Sequence, residues 1–183
     1  MPLRSANAPL PSPWNQFLTE LDSFLKEPLE LHCIGGFILV HFYGLDRTTA
    51  DIDYFTSIPA RTNLDDLAGE GSPLHKKYGV YLHRAAIMSL TEDYETRLQE
   101  MLPGTFKNLN LRVLDPYDCI LSKIERNGAK DRDDADYLFR SQKLNSAALR
   151  ERYMTELRPY MAQDKLYDQT LDLWIEIFES PRT

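Results

Sequence analysis

Residues 31–55 read LHCIGGFILVHFYGLDRTTADIDYF, and this stretch decides the fold. A short strand is predicted over residues 30–34, and a pair of glycines follows it. The apolar run from Phe37 to Tyr43 is too long to belong to the same strand, so it predicts a helix. Residues 51–55 alternate acidic and bulky side chains and predict a second strand. The predicted order is strand, glycine turn, helix, strand.

The glycine pair, Gly35 and Gly36, stands where the first strand turns into the helix. Backbone N–H groups at such a turn are not shielded by side chains and can donate to phosphate oxygens, helped by the helix dipole. An ordinary turn is the plainer alternative, because glycine pairs are common in turns. The glycine pair alone therefore does not decide between a phosphate-binding turn and an ordinary turn.

Asp51 and Asp53 form the acidic half of the motif. Alternate strand residues point to the same face, so the two carboxylates would lie side by side while Ile52 faces the core. Their repulsion is about 1–3 kcal/mol at a partly exposed site, and a hard divalent cation such as Mg²⁺ removes it. A solvated edge strand is the plainer alternative. Found together and in this order, the glycine pair and the acidic pair favour a phosphate and metal site.

The remaining chain extends this core and then changes character. Further core elements are predicted as helices over 13–25 and 61–78 and strands over 81–88 and 110–114. Only helices are predicted after that, over 116–126, 131–141, 146–160 and 164–179.

We therefore expect an α/β (α+β) fold, in which a C-terminal helical region packs on a small mixed sheet. The expected organisation is a disordered lead-in over 1–14, an α/β core over 15–115 and the helical region over 116–183.

Composition limits the partners. The 183 residues include 21 basic and 28 acidic side chains, a net charge of -7, which argues against broad binding of duplex DNA. Residues 121–152 instead hold eight basic and six acidic side chains, so a nucleotide or one RNA end stays compatible with the charge.

No apolar run reaches the roughly 18 residues of a membrane span. Cys33 and Cys119 lie in apolar runs, which favours buried thiols in a cytoplasmic protein.

Two blocks carry a resemblance to a known family. The glycine turn and the stretch RTTADIDYF, residues 47–55, resemble the nucleotidyltransferase fold of the polymerase-beta type, and in particular AbiEii-type toxins and uncharacterised bacterial relatives. The block LDPYDCILSKIERNGAKDRDDADYLF, residues 114–139, resembles the second conserved block of that group. The resemblance covers about residues 15–178.

The resemblance implies Mg²⁺-dependent, or Mn²⁺-dependent, transfer of a nucleotide from a nucleoside triphosphate. The implied acceptor is an RNA, such as the 3′ end of tRNA, or a protein hydroxyl, and a type IV toxin would have a cognate antitoxin as partner. The implied metal ligands are Asp51 and Asp53. The implied nucleotide-binding residues are Gly35, Gly36, Arg47, Thr49, Lys123, Arg126 and Asp131, and Lys123 and Asp134 join the two metal ligands as implied catalytic residues.

The second block also has a structural explanation. Lys123 and Arg126 are three residues apart on one predicted helix and share a face. They can reach phosphate, or they can pair with Asp131 and its acidic neighbours across the helical hairpin. The sequence leaves both alternatives open.

The chain departs from the family pattern at one strand. A third carboxylate is expected on a strand after the Asp pair, but the predicted strand over 81–88 carries His83 instead. Three alternatives stay open: one metal suffices for catalysis, Asp134 substitutes for the missing carboxylate, or the fold is retained without catalysis. In the last case the protein is a nucleotide-binding or RNA-binding module, or an interaction module without a ligand. His83 itself can serve as a base or simply pack in the structure.

Overall fold

A computed structural model describes residues 9–60, 63–85, 89–162 and 165–181. The chain divides into two compact units. The first, the sheet unit, consists of Met1–Ile87 and Leu98–Leu114. The second, the helical unit, consists of Met88–Arg97 and Asp115–Thr183.

The sheet unit holds five strands in the order β3-β2-β1-β5-β4. Its strands are β1 (Leu29–Ile34), β2 (Asp51–Ile58), β3 (Tyr81–Arg84), β4 (Gln99–Met101) and β5 (Leu109–Val113). Its helices are α1 (Trp14–Phe24), α2 (Gly35–His41), α3 (Leu64–Ala68) and α4 (Pro73–Tyr78). The sheet is mixed, because β1 pairs antiparallel with β2 and parallel with β5, β2 pairs parallel with β3, and β4 pairs antiparallel with β5. The expected mixed α/β fold is confirmed.

The core of the sheet unit follows from its apolar pattern. β1 is the central strand, and the successive residues Leu31, His32 and Cys33 are almost completely buried, as expected of a strand covered on both faces. Helix α1 presents an apolar face to this core, and the ring of Trp14 lies 5.0 Å from that of Phe37 in α2.

A buried end of β5 is held by a carboxylate of α1. Asp22 accepts hydrogen bonds from the backbone N–H groups of Lys107, Asn108 and Leu109, at 3.0, 2.7 and 2.8 Å. Backbone donors at a strand entrance need such partners, so Asp22 fixes where β5 begins beside β1.

Several predicted boundaries differ from the structure. Residues 61–78 are predicted to contain one polar helix with a glycine-rich tail, but the described residues from 63 onward form two short helices, α3 and α4, because Gly71 takes a φ of +80° and Ser72 then caps α4. The strand predicted over 81–88 ends at Arg84, and residues 86–88 lie outside the described residues. Strand β4 was not predicted. Of the lead-in over 1–14, residues 1–8 lie outside the described residues, while Leu10 is buried.

Among its described residues, the helical unit contains four α-helices joined by irregular turns. They are α5 (Pro116–Leu121), α6 (Ala129–Ser141), α7 (Ser146–Arg152) and α8 (Lys165–Glu179). The helix predicted over 116–126 ends early, at Leu121, and the one predicted over 146–160 becomes a π-helical turn over Tyr153–Leu157 and a 3-10 turn over Arg158–Tyr160. Pro159 lacks a backbone N–H, so an α-helical ladder cannot continue through it.

The apolar stripe of α8 forms the core of the helical unit, as its spacing predicts. Leu171, Trp174 and Phe178 are buried, and the ring of Phe178 stacks 4.8 Å from that of Phe139 in α6. Trp174 donates its indole N–H to the side-chain oxygen of Asn127 at 3.1 Å, which satisfies the one polar group of the buried ring.

Two further expectations concern membranes and thiols. Within the described residues no helix is both long and apolar enough to cross a bilayer. Cys33 and Cys119 are both free and buried, as predicted, and burial raises the pKa of each thiol. Neither thiol is therefore a ready nucleophile near neutral pH.

Candidate metal and nucleotide site

The turn between β1 and α2 requires glycine at its first position. Gly35 has a φ of +71°, in the left-handed region that disfavours other residues. A Cβ there would stand 2.2 Å from Asp53 Oδ2. The absence of a side chain therefore lets the carboxylate of β2 lie directly against the turn.

The absence of a side chain at Gly36 likewise makes room for two residues of the loop before β2. A Cβ at this position would lie 2.9 Å from the hydroxyl of Thr49 and 3.1 Å from a guanidinium nitrogen of Arg47. The structure thus brings together, around one turn, the glycines and two of the side chains that the resemblance implicates in nucleotide binding. The antiparallel pairing of Ile34 with Asp53 explains this proximity.

Asp51 and Asp53 stand on the same face of β2, and Ile52 between them is fully buried. Both carboxylates are partly exposed. Thr49 donates a hydrogen bond from its hydroxyl to Asp51 Oδ1 at 3.1 Å, which orients that carboxylate while leaving its other oxygen available.

His83 completes the group. Strand β3 runs parallel to β2, and their register places His83 beside Asp53. Its Nδ1 lies 2.8 Å from Asp53 Oδ1, and its side chain is 56% exposed. The hydrogen bond to Asp53, followed by the charges of Asp53 and Asp51, raises the pKa of His83. We call Asp51, Asp53 and His83 the sheet cluster.

The sheet cluster gathers donor atoms that could hold one divalent cation. One ligand atom from each of its three residues lies within 4.8 Å of the others. Two ligands at about 2.1 Å from an ion are up to about 4.2 Å apart, so small side-chain rotations would bring the three atoms to one ion. Two carboxylates and an imidazole are common ligands of divalent metals.

The sequence predicts Asp51 and Asp53 as metal ligands but assigns no metal-binding role to His83. The sequence signal was present, because the strand expected to supply a third carboxylate offered a histidine. Its role depended on the register between β2 and β3, which joins residues 30 positions apart and cannot be read from local spacing.

The residues predicted from the second block form a separate group in the helical unit. Lys123 Nζ lies 3.0 Å from Asp134 Oδ2 and 3.3 Å from Asp131 Oδ1, and all three residues are buried. Arg126 donates from Nε to Asp131 Oδ2 at 2.7 Å, and the backbone N–H of Gly128 donates to the same oxygen at 3.1 Å. We call Lys123, Arg126, Asp131 and Asp134 the helix cluster.

The ion pairs of the helix cluster control its electrostatics. Burial alone would raise the pKa of Asp131, but the hydrogen bonds of Arg126 and the charge of Lys123 outweigh it and lower this pKa to about 2. The pairing across the hairpin that the sequence left open is therefore present. Roles for these four residues in nucleotide binding or catalysis stay predictions.

A second buried ion network in the helical unit was not anticipated from the sequence. The fully buried Asp118 carboxylate contacts Arg97 at 3.0 Å and Arg152 at 3.1 Å, and accepts a hydrogen bond from Thr91 at 2.7 Å. Burial and the charge of Asp118 raise the pKa of neighbouring Asp115. This network ties the segment containing Arg97 to helices α5 and α7.

The mixed five-stranded sheet, with a glycine turn facing an Asp-x-Asp strand, defines a nucleotidyltransferase-type α/β protein. A family model described as "Nucleotidyltransferase of unknown function (DUF6036)" matches residues 16–182. The chain belongs to this family. No curated protein and no solved structure matches it significantly. The narrower resemblance to AbiEii-type toxins stays a prediction.

Proposed function

We propose that this protein is a metal-dependent enzyme that transfers a nucleotide from a nucleoside triphosphate to a hydroxyl of an RNA end or a protein. One observation carries the proposal: the Asp53 carboxylate, which shares a face of β2 with that of Asp51, lies directly against a turn that requires glycine at position 35. That geometry combines two charges that need a cation with a backbone surface free of side chains. A triphosphate bound with a divalent ion requires both.

Asp51 and Asp53 would hold the divalent ion, Mg²⁺ or Mn²⁺. When bound, such an ion neutralises triphosphate charge and stabilises the charge that develops on phosphate oxygens. Thr49 supports this role, because its hydroxyl hydrogen-bonds Asp51 Oδ1 and so limits the carboxylate's rotation.

The phosphates would lie along the glycine turn. Gly35 and Gly36 leave backbone N–H groups accessible there, and Arg47 and Thr49 border the same surface. A guanidinium fits phosphate oxygens through paired N–H donors. These residues would orient the triphosphate relative to the carboxylates.

In the proposed reaction, the acceptor hydroxyl oxygen forms a bond to the α-phosphorus. The bond between that phosphorus and the oxygen bridging to the β-phosphate breaks, and pyrophosphate leaves. The hydroxyl proton passes to a carboxylate of the sheet cluster and then to solvent. The chain's own contribution is positioning and charge, as in phosphoryl transfer generally.

An RNA end, such as that of tRNA, is the acceptor that the family resemblance implies. In the cytoplasm, such modification of tRNA would stop growth, and the protein would act as the toxin of a type IV pair with a cognate antitoxin.

A transfer assay tests the proposal. The full chain would be incubated with α-³²P-labelled nucleoside triphosphates, Mg²⁺ or Mn²⁺, and either total tRNA or cellular protein. We expect label on one acceptor class, and a loss of at least about 100-fold for Asp51→Asn and Asp53→Asn. Asp66→Asn, an exposed carboxylate of α3, is the matched control and should keep full activity.

Two results would contradict the proposal. Activity that survives in the Asp51→Asn and Asp53→Asn variants would remove the sheet cluster from the reaction. Metal-dependent nucleotide binding without transfer to any RNA or protein pool would favour a binding module instead. The presence of His83 where a third carboxylate is expected is the observation that supports this second function.

A further inference from the structure

We propose that His83 is the third protein ligand of the metal site, and that the site therefore selects a transition ion such as Mn²⁺ over Mg²⁺. This inference rests on the proposed function in one respect, that Asp51 and Asp53 hold a metal. It adds a ligand and a metal preference that the acidic pair alone does not specify.

The position of His83 is set by the sheet. Parallel pairing places it directly beside Asp53 on the neighbouring strand. Its Nδ1 already contacts Asp53 Oδ1 at 2.8 Å. A side chain anchored on a strand is held more firmly than one on a loop, so this contact is a preorganised feature of the site.

The imidazole is also accessible to an incoming ion. The side chain of His83 is 56% exposed and that of Asp53 is 23% exposed. Its donor atom belongs to the same group, within 4.8 Å, as one oxygen from each aspartate. A histidine that only packed in the core would not combine this exposure with this proximity to two carboxylates.

The ligand chemistry determines the preference. Mg²⁺ binds oxygen ligands and water and is held by carboxylates and phosphates. Imidazole nitrogen suits transition ions such as Fe²⁺, Ni²⁺ and Zn²⁺, and Mn²⁺ is held by carboxylates together with histidine in di-manganese carboxylate proteins. Two carboxylates and one imidazole also carry one negative charge less than three carboxylates, which lowers the purely electrostatic affinity for any hard ion.

Metal binding by the full chain, without nucleotide, tests the inference directly. Mn²⁺ and Mg²⁺ affinities would be measured by calorimetry, and pulsed electron paramagnetic resonance of bound Mn²⁺ would report ¹⁴N coupling from a coordinated imidazole. We expect ¹⁴N coupling in the native chain and a preference for Mn²⁺ of at least about tenfold.

Three variants separate ligation from other roles. His83→Gln should abolish the ¹⁴N coupling and weaken Mn²⁺ binding by about 10-fold or more. His83→Asp restores an all-carboxylate set, so its ratio of Mn²⁺ to Mg²⁺ affinity should fall by about tenfold. His75→Gln is the control, because it removes another histidine of the sheet unit and should leave both measurements unchanged.

The outcomes distinguish this inference from the proposed function. Metal binding that depends on Asp51 but shows no ¹⁴N coupling, with an unchanged metal preference in His83→Asp, overturns the role of His83 and leaves the Asp pair intact. A general-base role would appear as unchanged metal affinity in His83→Gln with slower transfer, and it also overturns the inference. No binding of either metal by the native chain overturns both proposals.

Discussion

The sheet cluster and the helix cluster both gather carboxylates, but they balance the charge differently. In the helix cluster, buried Asp131 and Asp134 contact Lys123, and Asp131 also contacts Arg126. In the sheet cluster, partly exposed Asp51 and Asp53 are contacted by a hydroxyl and an imidazole. Removing one partner from a buried, balanced group destabilises a fold, whereas the partly balanced pair is the one that we propose to bind a cation from solution. Mutations should separate these two functions.

The largest effect is expected from breaking the helix cluster. Lys123→Ala leaves two buried aspartates without their shared ammonium, and removal of one partner from a buried ion pair costs about 3–5 kcal/mol. Urea unfolding would measure the loss. Lys130→Ala is the control, because Lys130 is an exposed lysine of α6 and exposed charges contribute about 1 kcal/mol or less. A loss in Lys123→Ala as small as that in the control would contradict a structural role for Lys123.

A smaller effect is expected at the glycine turn. Gly35→Ala and Gly79→Ala both introduce a side chain at a positive φ, +71° and +72°, which costs about 1 kcal/mol in each. Only Gly35→Ala also drives a methyl group into Asp53, whereas the Gly79 site has nothing within 4 Å. We expect Gly35→Ala to lose a further 1–2 kcal/mol or so in urea unfolding. If the two variants lose the same amount, the turn does not depend on contact with the sheet cluster.

Acid should weaken the helix cluster. The pKa of Asp131 is lowered from 3.8 to about 2 in the fold, so its contribution is present above about pH 4 and disappears as the pH falls toward 2. The difference in unfolding free energy between the native chain and Asp131→Asn should therefore shrink by about 1–2 kcal/mol from pH 5 to pH 2. Asp133→Asn, exposed on the same helix, is the control. A difference that stays constant with pH would contradict this prediction.

The smallest stability effect is expected at the sheet cluster. Without metal, Asp51→Asn should change the unfolding free energy by less than about 1 kcal/mol, because the amide oxygen still accepts from Thr49 and the repulsion between carboxylates is relieved. Asp53→Asn loses only an exposed contact with His83, and such pairs contribute little. Thermal unfolding in a chelator would measure both. A loss above about 2 kcal/mol in either variant would make that carboxylate part of the fold's support.

The features of the site that depend on local spacing were predictable. Gly35 and Gly36 stand between an apolar strand and an apolar run, and Asp51 and Asp53 alternate with Ile52. These patterns use only the two-residue period of strands and the conformational freedom of glycine. The contact between the glycine turn and Asp53 follows from how β1 and β2 pair.

The features that depend on distant pairing were not predictable in the same way. Strand β4, with the sequence Gln99-Glu100-Met101, is a three-residue edge strand without β-branched residues, so it lacks a local strand signal. The contact of His83 with Asp53 depends on the register between β3 and β2. The ion pairs of Asp118 depend on two arginines that are distant in the sequence, and sequence alone cannot show which cations reach a buried carboxylate.

The helical unit is made from two separate stretches of chain, Met88–Arg97 and Asp115–Thr183. The first stretch supplies Arg97, whose guanidinium also contacts Glu156 at 2.7 Å. A gene fragment that begins at codon 115 would encode Asp118 without one of its two arginines. A single crossover in the gene therefore cannot transfer the intact helical unit without also transferring Leu98–Leu114 of the sheet unit, and recombination among relatives should exchange both stretches together or neither.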